Sequence, residues 1–486
     1  MSLQVFLQAQ LLGSEEFLSS NLSAGKTEFS GRCAWASLLC EVVPRTLLAE
    51  LKLPRILLGS ASAEQFLLVL AQEDIPRAND FLNRCAADIT RTSGGALRLI
   101  WASTEDLGAW PIARKRLDDA LHAKRFAPAS DVSSIATFFA PTANGHEPEH
   151  DSYFEEFGAR VASASRVGWS PDAPARLLWD AGEHAWALTD QSRTDGEAIA
   201  FPRRLAMDET GATPVSVSEL ASRADGAPRW GILTGDVDLF EMRLRRAVSI
   251  EEHIQLSMLL KEFFAGELSV LCTESGFWRT VTLLYRGGDN FTVLGTWDAL
   301  VTLARELHRV FDSFIERNFE QFPTLEGRSI SMALAIAPTT DTAITSVFRD
   351  AQRELRAAKT REPGTFHLFG HALEWKRLPE AEDLKTQLMR LIENFGYPRE
   401  YVNDLASAYR ESTSIPGRKR GKAAAADKPW RTYMRVSQQI PASRRRDSGN
   451  ARDAVIKSLS GKAAGGVKLR PTARVGLEWA RFAAGS

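Results

Sequence analysis

Two acidic clusters stand where local backbone geometry favours a bound ligand. Gly287-Gly-Asp-Asn290 separates the apolar runs 280–285 and 291–294, a pattern that predicts a β-hairpin with Asp289 at its tip. Glycines at 287 and 288 permit positive φ and close approach of a ligand to the main chain. Some fifty residues upstream, Gly235-Asp-Val-Asp-Leu239 ends the apolar run 230–233. Asp236 and Asp289, presented at strand ends together with a carbonyl such as that of Val237, are the hard oxygen ligands that Mg²⁺ takes. The phosphates of a nucleoside triphosphate would complete its octahedron. The metal would neutralise the phosphates and activate a ribose hydroxyl for attack on an α-phosphate. Lys359, at a helix end, is suited to meet the phosphates as a point charge.

These residues need a fold that brings them together. From Trp230 onward the pattern predicts a strand, a helix over 249–268, the Gly-Gly hairpin, a helix from 297 to about 317, a strand over 329–337, a helix ending near Lys359 and a strand over 365–369. Ser249-Ile-Glu-Glu252 has capping-box spacing, and Leu300, Leu303, Ala304, Leu307 and Phe311 recur at helical spacing. The order β-α-β-β-α-β-α-β is that of a ferredoxin-like palm with additions. In such a core the strand ending at Asp236 neighbours the hairpin, although 53 positions separate Asp236 from Asp289.

The rest of the chain divides around this unit. Residues 1–51 read as an N-terminal helical segment and 52–145 as a weaker palm with the order β-β-α-β-α. Residues 146–228 read as a connector with a helix over 154–165 and a hairpin around 177–188. Residues 229–378 form the second palm, and 379–486 a basic helical C-terminal domain. The expected class is α+β: two ferredoxin-like palm domains followed by a basic α-helical domain. A lone His150-Asp151 dipeptide lacks the further His and Asp that a metal-dependent phosphohydrolase requires.

Composition sets the outer bounds. A chain of 486 residues, 44% hydrophobic and 25% charged, is a multidomain globular protein. No apolar run is long enough to cross a bilayer, so no membrane partner is expected, and Met1-Ser-Leu-Gln-Val-Phe-Leu7 lacks the basic start of a signal peptide. Four scattered cysteines make neither a disulfide framework nor a zinc ribbon, which predicts buried thiols, a cytoplasmic setting and no zinc. The net charge of −1 hides an asymmetry: residues 411–486 hold 17 Lys+Arg against five Asp+Glu. A basic terminus on an acidic body points to a polyanion. Its densest runs are Arg418-Lys419-Arg420 with Lys422, and Arg444-Arg445-Arg446.

Residues 230–375 resemble the catalytic palm of the large subunit of type III CRISPR RNA-guided effector complexes, a relative of GGDEF and adenylyl cyclases. The resemblance rests on Gly231-Ile-Leu-Thr-Gly-Asp-Val-Asp238, the helix ending Leu260-Lys-Glu-Phe-Phe264, residues 285–295 with the helix from Trp297, Ile330-Ser-Met-Ala-Leu-Ala335, Ala357-Ala-Lys359 and residues 366–375. It implies Asp236 and Asp289 as catalytic acids, Asp236, Val237 and Asp289 as metal ligands, and Gly287, Gly288 and Lys359 at the nucleotide. It also implies a degenerate first palm, with Gly59-Ser-Ala-Ser-Ala63 in place of an acidic turn. The basic terminus would lie along guide and target RNA, making Arg418, Lys419, Arg420, Lys422, Arg444, Arg445 and Arg446 candidate RNA contacts. Repeated backbone and small subunits would be protein partners, and ATP with Mg²⁺ would yield cyclic oligoadenylates when target RNA binds.

Four features depart from that family. About 50 residues precede the expected first palm, too few for an HD nuclease domain. The cysteine-rich zinc element between the palms is missing. Asn290 replaces a second aspartate, offering one neutral oxygen, and Arg286 stands where a small residue is usual. These features favour an antiviral scaffold subunit with an impaired nucleotide-binding palm; an active oligoadenylate synthase is the alternative. A stand-alone nucleotide cyclase would explain the palm but neither the doubled core nor the basic terminus.

Overall fold

The computed structural model describes residues 3–485 apart from 127–147, 171–172, 191–196, 212, 321–323, 325, 361, 414–445, 464–465 and 470–471. Its largest sheet has six strands in the spatial order Val281–Arg286, Asn290–Thr296, Trp230–Val237, Ile330–Ile336, Thr365–Leu368 and His371–Glu374. The element order predicted from Trp230 is present, with His371–Glu374 added at the edge. Side chains alternate across the central strand Trp230–Val237. Leu233 and Val237 pack with Phe263, Leu300 and Phe311 on one face. Ile232 packs on the other with Phe348 and Ala351, and Asp236 lies on this second face by the same alternation. Gly235 makes room for the Phe291 ring, which a Cβ there would meet at 2.4 Å.

Local signals explain the helix that follows. The Ser249 hydroxyl accepts the Glu252 N–H at 3.2 Å and caps Ile250–Glu262. A π-helical turn, Phe263–Glu267, continues it. That turn sets Phe263 against Phe311 and Phe264 against Phe291, with ring centroids 5.1 and 5.7 Å apart.

The first sheet runs Leu58–Ala61, Gln65–Ala71, Gln4–Leu12, Arg98–Glu105. This corrects the expected boundary at residue 51. Gln4–Leu12, placed by sequence pattern in a helical segment, is a strand inside the sheet. It shows no clean two-residue alternation because residues 5–9 are buried on both faces. Gln8, 1% exposed, is satisfied by donating to Gln65 at 3.1 Å and accepting from Arg114. The long helix Lys26–Glu50 follows the strand, so the first half reads β-α-β-β-α-β-α.

The two halves also agree residue by residue. Gln10 pairs with Gln65 as Asp236 pairs with Asn290. Leu11 N–H donates to Glu64 O at 2.7 Å, as Val237 N–H donates to Asp289 O at 2.8 Å. Ser62 N–H donates to Gln65 O at 2.8 Å, as Gly287 N–H donates to Asn290 O at 2.7 Å. Ser62-Ala-Glu-Gln65 is therefore the counterpart of Gly287-Gly-Asp-Asn290.

Between the halves lies a small sheet ordered Ala173–Trp179, Arg166–Ser170, His184–Thr189, Ile199–Ala200. No hairpin forms around 177–188. Arg166–Ser170 lies between the two expected hairpin strands and pairs with both, and the Asp180 carboxylate accepts the Ser165 and Arg166 N–H groups at 2.9 and 3.0 Å. The nearby helix is Pro148–Arg160 rather than 154–165. Lys26–Glu50 reaches the second half through a buried ion network: Glu41 bonds Arg45 at 2.6 Å and also pairs with Lys261.

The C-terminal part contains helices Leu378–Phe395, Glu400–Thr413, Arg446–Leu459 and Thr472–Ala483. A hairpin, Ser460–Ala463 with Gly466–Leu469, precedes the last of these helices. Arg418, Lys419, Arg420, Lys422, Arg444 and Arg445 lie outside the described residues; Arg446 opens a helix. All four cysteines are buried and free. Among the described residues no helix is long and apolar enough to cross a membrane.

Candidate functional site

Asp236, the penultimate residue of Trp230–Val237, stands opposite Asn290 on one neighbouring strand and Ser331 on the other. Paired residues share a face of a sheet, so Asp236 and Asn290 lie on the side of the helix Ile344–Lys359. Asp289 follows the turn, and its carbonyl accepts the Val237 N–H at 2.8 Å. Lys359, the last residue of its helix, forms an ion pair with Asp236 Oδ1. The structure thus gathers Asp236, Val237, Gly287, Gly288, Asp289, Asn290 and Lys359 at one end of the sheet.

The glycines meet a need different from the expected one. Neither Gly287 nor Gly288 takes a positive φ. A Cβ on Gly287 would lie 2.4 Å from Asn290 Oδ1, and one on Gly288 would lie 2.8 Å from Ser62 Cβ. Space, not torsion, explains both: Gly287 makes room for the Asn290 side chain of its own turn, and Gly288 for the matching turn of the first half.

That contact brings in a residue that sequence analysis missed. Glu64 accepts a hydrogen bond from the Tyr285 hydroxyl at 3.1 Å. With Asp236, Tyr285, Asn290, Gln352 and Leu355 it lines a cavity of about 140 Å³. A second cavity of about 170 Å³ is lined by Asp289 together with Gln10, Ser62, Glu64 and Gln65. The acidic-turn comparison stopped at Ala63, one residue short. The signal was available in the register between the two hairpins.

Asp238 has a different role. Its carboxylate, 3% exposed, accepts the Ser329 and Ser331 hydroxyls at 2.7 Å each and the Gly364 N–H at 2.8 Å. It ties three strand ends together and is fully engaged. Period-two spacing alone cannot separate this structural aspartate from its neighbour Asp236.

Carboxylates concentrate here with little positive charge. Burial, then the charges of Asp236 and Glu64, push the Asp289 carboxyl well above its ordinary range, and Lys359 only partly opposes this. Burial raises Asp236 as well, against the pull of Lys359. It also raises Glu64, against its hydrogen bond from Tyr285. Asn290 Oδ1 is shielded from solvent and has no hydrogen-bond partner, a costly state for a buried acceptor. Asp236, Glu64 and the orphaned Asn290 carbonyl line one cavity and Asp289 the neighbouring one; oxygen groups of this kind are what a hard divalent cation such as Mg²⁺ takes.

Residues 229–364 match the family described as Cas10/Cmr2, second palm domain. A protein of Methanocaldococcus jannaschii, described as CRISPR system single-strand-specific deoxyribonuclease Cas10/Csm1 (subtype III-A), is 31% identical over 134 residues, which is 24% of this chain and 16% of that protein. The protein of the same description from Enterococcus italicus is 28% identical over 103 residues, 20% of this chain and 13% of its own. The chain therefore matches less than a fifth of these relatives' length. In the crystal structure of the Csm1–Csm4 cassette in complex with cA3, one chain superposes with a TM-score of 0.71 at 14% identity, over 99% of this chain and 70% of that one. Residues 229–364 are thus related to the second palm domain of type III Cas10 large subunits, within a chain that shares its fold with one chain of that cassette.

Proposed function

We propose that the chain is the large subunit of a type III CRISPR ribonucleoprotein effector, acting in the cytoplasm in antiviral defence. In this reading it scaffolds the complex, contacts guide and target RNA through its basic C-terminal part, and keeps a nucleotide-binding palm of reduced activity. The observation that carries the reading is the pairing of Asp236 with Asn290, locked by the Val237–Asp289 hydrogen bond, inside the segment related to the Cas10/Cmr2 palm. Bound Mg²⁺ would neutralise a triphosphate and polarise its α-phosphate. Asp236, Asp289 and the Val237 carbonyl would hold the metal, and Lys359, paired with Asp236, opposes the rise that burial imposes on that carboxyl. Gly287 and Gly288 keep the turn tight enough to aim Asp289 along the sheet end. Asn290 contributes a dipole where a carboxylate would contribute a charge, which accounts for the reduced activity.

The second reading is an active cyclic oligoadenylate synthase. Glu64, an additional carboxylate beside Asp236, favours it, as does the relative solved in complex with cA3. Incubating the reconstituted complex with ATP, Mg²⁺ and target RNA separates the two. The first reading expects little or no product from the wild-type chain and a rise of about tenfold or more in Asn290→Asp, one decade per 1.4 kcal/mol of barrier. Abundant wild-type product that disappears in Asp289→Ala establishes the second reading and overturns the first.

A further inference from the structure

The two halves repeat one another closely enough to compare their sheet ends position by position. Gln10 occupies the position of Asp236, Gln65 that of Asn290, and Glu64 that of Asp289. The correspondence extends to the cations. Arg125 donates to Gln10 Oε1 at 3.0 Å, as Lys359 bonds Asp236, and each follows the start of its helix by 15 residues. Amides have thus replaced the carboxylate at the central strand of the first half, while its turn acid remains.

What the repeat does not explain is where that acid lies. Glu64 borders the second half's cavity, with Asp236 and Asn290, and its carboxylate is held there by the Tyr285 hydroxyl. Asp289 in turn borders the first half's cavity, with Gln10 and Gln65. Glu64 lines both cavities and so stands between the two halves. Asn290 Oδ1, shielded and without a hydrogen-bond partner, lines the same cavity as Glu64; an anionic group beside an orphaned acceptor gains nothing unless a cation lies between them.

We propose that Glu64 of the first half is a ligand of the divalent metal bound by the second half, supplying across the interface the negative charge that Asn290 does not. The proposal rests on the metal-binding reading given above. It makes the site a shared one: Asp236 and Asp289 come from the second half, Glu64 from the first, and the Tyr285 hydroxyl holds the donated carboxylate. Glu15 also lines the cavity but is already paired with Arg356, so it is the internal control.

Mn²⁺ binding to the full-length chain, followed by electron paramagnetic resonance without nucleotide, tests this independently of turnover. Glu64→Gln keeps the shape and the Tyr285 contact and is expected to weaken Mn²⁺ binding roughly tenfold or more, since groups one shell further out already contribute that much. Glu15→Gln should leave it unchanged. Adding Asn290→Asp to Glu64→Gln should restore binding, because the charge returns from within the second half. If Glu64→Gln binds Mn²⁺ as the wild type does while Asp236→Asn does not, Glu64 is no ligand, yet the metal site stands. If the wild-type chain binds no Mn²⁺, the metal reading and this proposal fail together. Should Glu64→Gln fold poorly, Glu64→Asp provides the same test: it retains the charge one methylene short, and unchanged affinity with unchanged melting temperature would overturn the assignment.

Discussion

At the scale of residues, the site is defined by half-buried carboxylates grouped at one end of the sheet. Asp289 is the extreme case, its carboxyl raised by burial and by Asp236 and Glu64. A carboxyl raised in the folded state adds stability below the ordinary carboxylate range, and that contribution is lost as pH rises through its folded value. The metal-free protein should therefore lose stability as pH rises toward neutrality. Asp289→Asn should raise its melting temperature at pH 7.5 by roughly 2–4 °C per kcal/mol of strain removed, with the gain vanishing at low pH. Mg²⁺ should raise the wild-type melting temperature and not that of Asp289→Asn. Scanning calorimetry at two pH values, with EDTA or Mg²⁺, measures all of this; a variant that melts below wild type in EDTA at pH 7.5 would contradict it. Asp236 and Asp289 were legible as a pair because each follows an apolar run at a glycine. Asp238 was not separable from them, because its two serine partners lie more than ninety residues away.

Among the elements, the helix Lys26–Glu50 joins the halves, and Glu41 is its polar anchor. Burial alone would raise this carboxyl, but Lys261 and Arg45 hold it at about 2. A depressed carboxyl contributes stability above its unfolded value, near 4.3, and loses it as pH falls through its folded value. Acid unfolding should thus contain a component between about pH 4 and pH 2 that is absent in Glu41→Gln. At neutral pH that variant should lose roughly 3 kcal/mol, because the buried Arg45 guanidinium loses its carboxylate partner. Urea titrations across pH provide the check, and equal pH dependence in both proteins would rule the anchor out. The helices and hairpins of residues 230–369 were legible because their periodicities are strong and their caps local. Gln4–Leu12 was not, since a strand buried on both faces with glutamines inside carries no alternation. The 177–188 region misled for a related reason: the third strand that separates the two expected partners precedes them in the chain.

For the molecule as a whole, a core of two matching halves is followed by a basic C-terminal part. The charge excess lies mainly in segments outside the described residues, so its role follows from electrostatics alone. On the function proposed above, binding of the chain to RNA should fall by on the order of 10³-fold between 50 and 200 mM salt if six or more phosphates are contacted. Truncation after Ser412 should flatten that dependence. Replacing Arg444, Arg445 and Arg446 by alanine should weaken binding without altering sequence preference, because phosphate contacts carry no base information. Filter binding at several salt concentrations would reveal a salt-independent affinity that excludes this role. The contact between the Ser62 and Gly288 turns has a consequence of another kind. The recognisable unit of this lineage is a single palm, residues 229–364, yet that unit excised from the chain would leave one wall of its cavity behind. What is inherited as a module works here as half of a pair, and substitutions in the plainer half carry effects that a module-by-module comparison assigns to nothing.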